Sequence, residues 1–412
     1  MRVGICSWWF NRGQAVVGRH LRSALTELGH ETFVLARPAR PNAPKPSFID
    51  RGDVWDQPGV TEASAFEIPL AEYEAFAETN ALDAILFDQN YQFEEISRLR
   101  ASGVRTIGRF VWEAFSPEHI PDARKALDVI YSLTGCEHER YRELGIDSPR
   151  VHWGIHPETL PDSEPAASGS DGQQADSSDA VTNPAGADAE ALREYVPGES
   201  RAIADPGTPG REAEDVPGRN VVFMFPGGYM TKRKPLAAVL AAFDSVGSER
   251  ARLLIKAQVD RKGKRLRKAA ASDSRIELIT DDLSNVEYQR LFASADVCLA
   301  PSRWEGLGLH LYEATALGLP IITNDNPPMN ELVEDGVNGL LVRGIETDEP
   351  APSGIAAFDP DVGQLARAIE RAVDDDERAS LSRGALDSRE DLRWERTVTD
   401  LGALLELVDV RP

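Results

Sequence analysis

Lysine is scarce in this chain of 412 residues: eight of its 45 basic residues are lysine and the rest are arginine. Positive charge is outnumbered altogether, with 68 acidic residues leaving a formal charge of −23. Such a surplus repels free nucleic acid, so nucleic-acid binding is excluded as a partner class. An acidic, lysine-poor surface suits a salt-rich cytoplasm, where ions screen self-repulsion; a GC-rich genome with one acidic linker is the alternative source of the same composition. Cysteine is nearly absent. Cys6, Cys136 and Cys298 are odd in number, widely spaced and set in apolar stretches, which fits reduced, buried thiols rather than a disulfide framework or a zinc site. No apolar run approaches the roughly 20 residues that span a bilayer. The opening Met1-Arg2-Val3-Gly4-Ile5-Cys6 runs straight into a short apolar segment, read as the first buried strand of a protein that is not exported.

What is there is an alternation. Short β-rich runs (Val3 to Ser7, Thr32 to Ala36, Ala84 to Asp88, Thr106 to Val111, Val129 to Ser132) separate helical patterns such as Gly13 to Leu28. Alternation of this kind predicts a parallel sheet wrapped by helices over residues 1–158. Residues 159–219 shift to Ser, Ala, Gly, Asp and Pro with almost no large apolar side chain, and read as a disordered acidic insertion or linker. A second alternating series then begins at Val221 to Phe225. It continues through Leu253 to Ala257, Ile276 to Thr280, Val297 to Ala300, Ile321 to Thr323 and Gly339 to Val342, predicting a second doubly wound domain over 220–390. Residues 391–412 form a last helix that is free to return to the first domain. Open parallel sheets bind ligands beyond their strand carboxyl ends, so two such domains facing a cleft place the chemistry between them.

The strongest motif follows the Val297 to Ala300 strand: Pro301-Ser302-Arg303-Trp304-Glu305-Gly306-Leu307-Gly308-Leu309-His310-Leu311-Tyr312-Glu313-Ala314. Two carboxylates, Glu305 and Glu313, bracket a glycine turn and a helix start. Gly306 and Gly308 admit close backbone approach, and free N–H groups at a helix N-terminus favour a diphosphate. Glu313, inside the helix, can accept hydrogen bonds from vicinal hydroxyls such as those of a ribose. Phe225-Pro226-Gly227-Gly228-Tyr229-Met230-Thr231-Lys232-Arg233-Lys234-Pro235 concentrates two of the rare lysines beside an arginine after the first strand of the second series. Cations there can neutralise a diphosphate and the charge on a departing group.

The Pro301 to Ala314 segment, with Glu305 and Glu313, resembles the Glu-x7-Glu signature of the retaining glycosyltransferase family four, and the likeness extends through Ala316 to Ile322, Glu331 and Asp335 to Val342, and to Gly29-His30-Glu31 after the first helix. The resemblance implies the GT-B fold of two Rossmann-like domains and transfer from a nucleotide diphosphate donor, a UDP- or GDP-sugar, to an acceptor hydroxyl. It implies that Glu305 contacts the donor sugar, that Glu313 binds the ribose, and that backbone amides of Gly308, Leu309 and His310 hold the phosphates. It gives the charge-stabilising role to Arg233 and Lys234. Gly228 stands where many members have an arginine, and the Asn11-Arg12-Gly13-Gln14 loop keeps one of two usual glycines. Pro327-Pro328-Met329-Asn330 also departs from the glycine-rich sequence common before Glu331.

Gly13, Trp112, Glu113 and His119 are the acceptor-side candidates, with His152 and His156 behind them; a lone histidine is more often a packed or surface residue, and Trp112 also reads as core. The basic run Arg261 to Lys268 reads as a solvated helix face, against contact with anionic lipid. Asp359-Pro360-Asp361 matches an Asp-x-Asp metal motif by chance, and a metal-independent site is expected, with no cofactor beyond the nucleotide sugar as substrate. The acceptor expected is a glycan or a lipid-linked sugar, met in the cytoplasm, with peripheral contact at the inner membrane face left open. A nucleotide-sugar 2-epimerase on the same fold and a non-catalytic sugar-nucleotide-binding subunit are the alternatives.

Overall fold

The computed structural model describes residues 1–43, 45–160, 218–258 and 263–409. The expected linker falls almost wholly outside the described residues, as do Arg261 and Lys262 of the basic run.

The first domain runs β1 (Arg2–Trp8), α1 (Gly13–Glu27), β2 (Glu31–Arg37), β3 (Val60–Glu62), α2 (Leu70–Thr79), β4 (Ala84–Asp88), α3 (Phe93–Ala101), β5 (Arg105–Arg109), α4 (Ile120–Ala126), β6 (Val129–Ile130) and α5 (Gly135–Glu143). Its six strands pair in parallel in the order β3-β2-β1-β4-β5-β6. The second domain runs β7 (Val221–Tyr229), α6 (Leu236–Asp244), β8 (Ala251–Gln258), α7 (Gly263–Ser272), β9 (Ile276–Ile279), α8 (Asn285–Ala293), β10 (Val297–Leu299), α9 (Leu309–Ala316), β11 (Ile321–Asn324) and β12 (Gly339–Val342). After these come the β13 (Gly344–Glu346) and β14 (Phe358–Pro360) pair, then α10 (Val362–Val373), α11 (Asp375–Asp387) and α12 (Trp394–Asp409). Its sheet order is β12-β11-β10-β7-β8-β9. Both sheets reverse direction beside their first strand, at β1/β4 and β7/β10, which opens a crevice at the carboxyl ends there.

Central strands carry near-continuous apolar runs because both faces are covered; β4 is buried along its whole length. That is why these strands are legible in sequence. β3 is three residues long, mostly exposed and at a sheet edge, so it carries no periodic signal. α12 returns to the first domain. Its Leu401, Leu404, Leu405 and Val408 share a core with Val3, Leu21, Ala24 and Leu25, and Trp394 Nε1 donates to Glu27 Oε1 at 3.0 Å. The same core takes in Leu307, Tyr312 and Ala316 of the second domain, so the two domains and the last helix share buried apolar contact around the site.

The thiols are free, and Cys6 and Cys298 are buried as expected. Cys136, in the first turn of α5, is partly exposed instead. In α7, Leu266 is fully buried while Lys264, Arg267 and Lys268 face outward. Asp359 pairs with Arg303 at 2.6 Å and Asp361 caps α10, so each aspartate of the Asp-x-Asp sequence has a structural partner.

Candidate functional site

The carboxyl edge of the second sheet assembles a compact charge cluster. Lys234, after β7, and Glu305, after β10, are both almost fully buried, and their Nζ and Oε1 meet at 2.7 Å. Ser302 completes a triangle, its hydroxyl 2.9 Å from Lys234 Nζ and 2.8 Å from the same Glu305 oxygen. Arg233 Nη1 lies 3.5 Å from Glu305 Oε2. Burial alone would raise the Glu305 pKa, but Arg233 and Lys234 outweigh it and hold the carboxyl far below its usual range, so Glu305 is ionised. A buried charge of this kind persists only where partners surround it.

Gly308 takes up the left-handed conformation with φ of 79° immediately before α9, and no side chain caps that helix. The amides of its first turn are therefore offered to an anion beside Arg233 and Lys234. His310, on the same turn, is held down to about 3 by burial, with the Lys234 and Arg233 charges adding to the effect, so its imidazole is neutral; its Nε2 has no partner among the described residues. Glu313 projects from the next turn and accepts from the Tyr288 hydroxyl at 3.1 Å. Burial pushes Glu313 up to about 7, with the Tyr288 hydrogen bond opposing.

The first domain closes over this cluster. Trp112 and Glu113 lie in the turn that follows β5, and the indole Nε1 donates to the Glu305 carbonyl at 2.7 Å. Gly306 is required by this approach: a Cβ there would lie 2.4 Å from Val111 Cγ1 and 3.5 Å from both Glu113 carboxylate oxygens. Glu113 Oε1 is 3.9 Å from Arg233 Nη1. Gly13, the first residue of α1, faces Leu309 at the start of α9, where a Cβ would lie 3.9 Å from Leu309 Cδ1, in ordinary van der Waals contact. Further contacts cross the cleft: Arg12 to Gln258, Lys45 to Asp282 at 3.1 Å, and Gln289 Nε2 to the Glu158 carbonyl at 2.8 Å. Glu331 reaches over to accept from the backbone N–H groups of Gly135 and Cys136 at 2.6 and 2.7 Å, occupying the N-terminus of α5.

Of the residues singled out in the sequence, Arg233, Lys234 and Glu305 meet in one charge cluster, Gly306, Gly308, Leu309, His310 and Glu313 follow in the loop and helix after Glu305, and Gly13, Trp112 and Glu113 approach that segment from the first domain. The histidines behave otherwise. His119 accepts from the Ser116 backbone through Nδ1 and packs among Tyr91, Phe93 and Phe115, a capping and packing position. His152 is tied to Asp400 of α12 at 2.7 Å. His156 stacks on His20 with ring centroids 3.9 Å apart and planes within 8°.

His20, His156 and Glu158 bring three potential ligand atoms close together. An ion bound by an imidazole lies in the plane of the ring, and two parallel stacked planes cannot share one. Glu158 is moreover engaged by Arg19 and His20. The cluster is a braced stack, not a metal centre. Ser302, Tyr288 and the cross-domain partner of Glu331 escaped the sequence reading. Ser302 lies inside the main motif, three residues before Glu305, but a serine after a strand carries no distinguishing signal; Tyr288 reads as an ordinary helix residue.

Residues 220–375 match the family model described as "Glycosyl transferases group 1". A D-inositol 3-phosphate glycosyltransferase of Saccharomonospora viridis is 31% identical over 227 residues, 52% of this chain and 47% of that protein. The chain spans less than half the length of the curated relatives it matches. Among solved structures, the sucrose-phosphate synthase of Thermosynechococcus elongatus superposes with a TM-score of 0.67 at 16% identity, covering 98% of each chain. HepE of Anabaena, solved with UDP and glucose, gives 0.65 at 12% identity over 98% of this chain and 99% of its own. These likenesses fix the fold as GT-B.

Proposed function

We propose that this chain, a GT-B protein whose residues 220–375 match the group 1 glycosyl transferases, moves a sugar from a nucleotide diphosphate donor to an acceptor hydroxyl with retention of anomeric configuration and without a metal ion. The observation that carries the reading is the buried Glu305 held between Lys234 and Arg233 at the mouth of an uncapped helix N-terminus. The amides of Gly308, Leu309 and His310 and the two cations would receive the diphosphate and stabilise the charge it gains on leaving. Glu305 would orient the sugar through its hydroxyls, and Glu313, steadied by Tyr288, would accept from the ribose. A complex of HepE with UDP and glucose supports a uridine donor without excluding a guanosine one. The acceptor, a glycan or lipid-linked sugar, would enter from the first domain, past Gly13, Trp112 and Glu113. Among the described residues no helix is long and apolar enough to cross a membrane, and peripheral contact belongs to the proposal.

The test is incubation with UDP- and GDP-hexoses, with and without glycoside acceptors, in the presence of EDTA, followed by NMR of the product anomer. Retained configuration with diphosphate release supports the reading. An inverted product or EDTA inhibition overturns its mechanism. Conversion of the donor alone into another nucleotide sugar would make the protein an epimerase, and tight binding without turnover across the panel would make it a binding subunit.

A further inference from the structure

A row of aromatic rings follows the outer part of the first-domain carboxyl edge, where β1, β2 and β3 end, away from the Arg109 cluster at β4 and β5. Trp8 stacks on Phe10 with centroids 5.5 Å apart and planes within 24°, Phe10 meets Phe48 edge-on at 6.1 Å, and Trp8 meets Phe66 at 6.5 Å. Phe10 is buried, Trp8 and Phe66 are half-buried, and Phe48 is exposed. Rings left within reach of solvent at a sheet edge suit a ligand that has one apolar face. The Trp8 indole N–H makes no hydrogen bond among the described residues, whereas those of Trp9 and Trp112 are spent on backbone carbonyls. Beside Phe48 a cavity of about 680 Å³ opens between residues 45–49 and 62–64, a size within the roughly 300 to 1,000 Å³ of small-molecule sites.

Cations frame the row. The Arg37 and Arg40 guanidinium carbons lie 3.8 and 5.0 Å from the Phe66 centroid. Arg37 is buried and committed: its Nε donates to the Phe66 carbonyl at 2.6 Å, and Nη2 lies 3.5 Å from Glu67. Lys45 faces Asp282 at 3.1 Å, and Arg51 faces Glu62 at 3.9 Å. Arg40 is exposed and forms no ion pair among the described residues, in a chain whose 68 carboxylates outnumber its 45 cations. The first 52 residues hold eight basic against three acidic side chains, so this corner is positive on a molecule of charge −23. Burial pushes the Tyr91 phenol up, the Glu113 and Asp88 carboxylates add to it, and Arg40 opposes them. Arg40 and Glu113 therefore act on the same hydroxyl, which joins the aromatic row to the turn facing Glu305.

Resting on the transferase reading above, we propose that the acceptor is an acidic sugar, a hexose carrying a carboxylate or phosphate group, whose ring lies against Trp8 and Phe66 and whose acid group is taken by Arg40. A guanidinium fork meets either group with two parallel N–H donors. A hexose offers C–H groups on one face to an aromatic ring and hydroxyls at its rim, one of which the free Trp8 N–H meets. The acid group sets the preference, because the rest of this acidic surface repels it and the Arg40 corner attracts it. A neutral sugar gains the stacking and nothing from Arg40.

The experiment measures transfer from UDP- and GDP-hexoses to three acceptors, p-nitrophenyl glucoside, its 6-phosphate and p-nitrophenyl glucuronide, with water as the control acceptor. Wild type should favour at least one acidic acceptor over the neutral glucoside by roughly 5- to 20-fold in kcat/KM, the worth of one exposed bidentate pair, and which one it favours separates phosphate from carboxylate. Arg40→Gln should erase that preference through acceptor KM rather than kcat, and Arg40→Lys, which keeps the charge without the fork, should restore part of it. Raising salt from 0.1 to 1 M should shrink the preference. Trp8→Ala should raise KM for all three glycosides alike. Equal use of neutral and acidic acceptors by wild type, or a preference that survives Arg40→Gln, overturns the proposal, while donor breakdown in water keeps the transferase reading standing. If wild type never breaks a donor, the transferase reading falls and the acceptor role with it, and calorimetry with the same three glycosides still decides whether Arg40 holds an acid sugar. Sedimentation with phosphatidylglycerol vesicles that depends on Arg40 and Trp8, without discrimination among the glycosides, would make the row a membrane contact and overturn the proposal.

Discussion

The two carboxyl edges that face each other across the cleft handle buried charge differently. In the second domain, Lys234, Glu305 and Ser302 satisfy one another over a few ångströms, yet their neighbours Arg233 and His310 keep unpaired nitrogens turned to the same space. In the first domain, Arg109 lies between Asp88 and Glu137 at 3.3 and 3.2 Å, all three nearly inaccessible beneath the turn that bears Glu113; each of them also keeps an atom without a partner among the described residues, but here two carboxylates surround one cation, where the second domain sets two cations around one carboxylate. One edge is built to receive an anion and the other to hold a turn in position. The lesson is that the first domain contributes precision while the second contributes charge. Substitutions on the two sides should therefore fail in different ways.

The largest effect is expected on the second-domain side. Lys234→Ala strands Glu305 as a buried charge with a more distant arginine for company, and removing one partner of a buried pair costs about 3 to 5 kcal/mol. It also removes a cation from the leaving group, a loss of roughly 10²- to 10³-fold in kcat where a single preorganised donor is deleted. Thermal unfolding and initial rates together check both parts. A variant that unfolds like wild type and merely loses donor affinity would show that the Lys234–Glu305 pair is solvated in solution.

Next in size is the division of labour between Glu313 and Glu305. Glu313→Gln should weaken binding of the bare nucleotide diphosphate by about 10- to 150-fold, the equivalent of one charged hydrogen bond of about 1.5 to 3 kcal/mol. Glu305→Gln should leave that affinity near wild type and reduce turnover of the full donor. Because burial raises Glu313 to about 7, its charged form is lost as pH falls through that value. Diphosphate affinity in calorimetry should weaken on the same side. Should Glu305→Gln abolish diphosphate binding and Glu313→Gln spare it, the two roles are exchanged.

This asymmetry also decides what the sequence makes legible. In the second domain, strand, glycine loop, helix and both glutamates are consecutive, so local pattern alone puts Glu305, Gly308 and Glu313 together. The first domain has no comparable run. Trp112 and Glu113 acquire meaning from contacts with Glu305, Gly306 and Ser353, some 190 to 240 positions away in the chain. Tyr288 is hidden for the same reason, its partner Glu313 lying on another helix. His119 and His156 were candidates because histidine is chemically versatile, and only packing reveals that capping and ring stacking occupy them. The fold was readable because fully buried parallel strands are apolar throughout, whereas the three-residue edge strand β3 and the β13/β14 pair depend on neighbours that no local pattern announces.

A smaller effect tests closure itself. Glu331 belongs to the second domain but occupies the N-terminus of α5 in the first, where a carboxylate contributes about 1 kcal/mol through the free N–H groups. Glu331→Gln should therefore reduce the closed population about fivefold, raising acceptor and donor KM together while leaving the unfolding temperature within a degree or two. Small-angle scattering with and without UDP gives the independent readout. A large loss of melting temperature instead would make Glu331 part of the permanent fold.

The smallest effect, and the one that weighs the two domains as whole bodies, is ionic strength. Of the surplus of 23 negative charges, residues 161–217 carry ten, with thirteen acidic against three basic side chains, while residues 1–160 and 218–412 carry six and seven. The two domains are thus nearly equal in net charge and repel each other across the cleft, whereas Lys45–Asp282 and Arg12–Gln258 draw them together locally. Lowering salt from 1 M to 0.1 M lengthens the Debye screening distance from about 3 to about 10 Å. Repulsion summed over whole domains gains more from that change than one exposed ion pair, which is worth little at any salt. The melting temperature should accordingly fall by a few degrees, since about 1 kcal/mol corresponds to roughly 2 to 4 °C in domains of this size. Donor KM should rise in parallel. Removing residues 161–217 takes away ten of the surplus charges and should shrink the salt dependence of both. An unchanged or higher melting temperature at low salt would assign the acidic composition to genome bias instead, and a falling donor KM would mean that the local cross-cleft contacts outweigh the net charge of the domains they join.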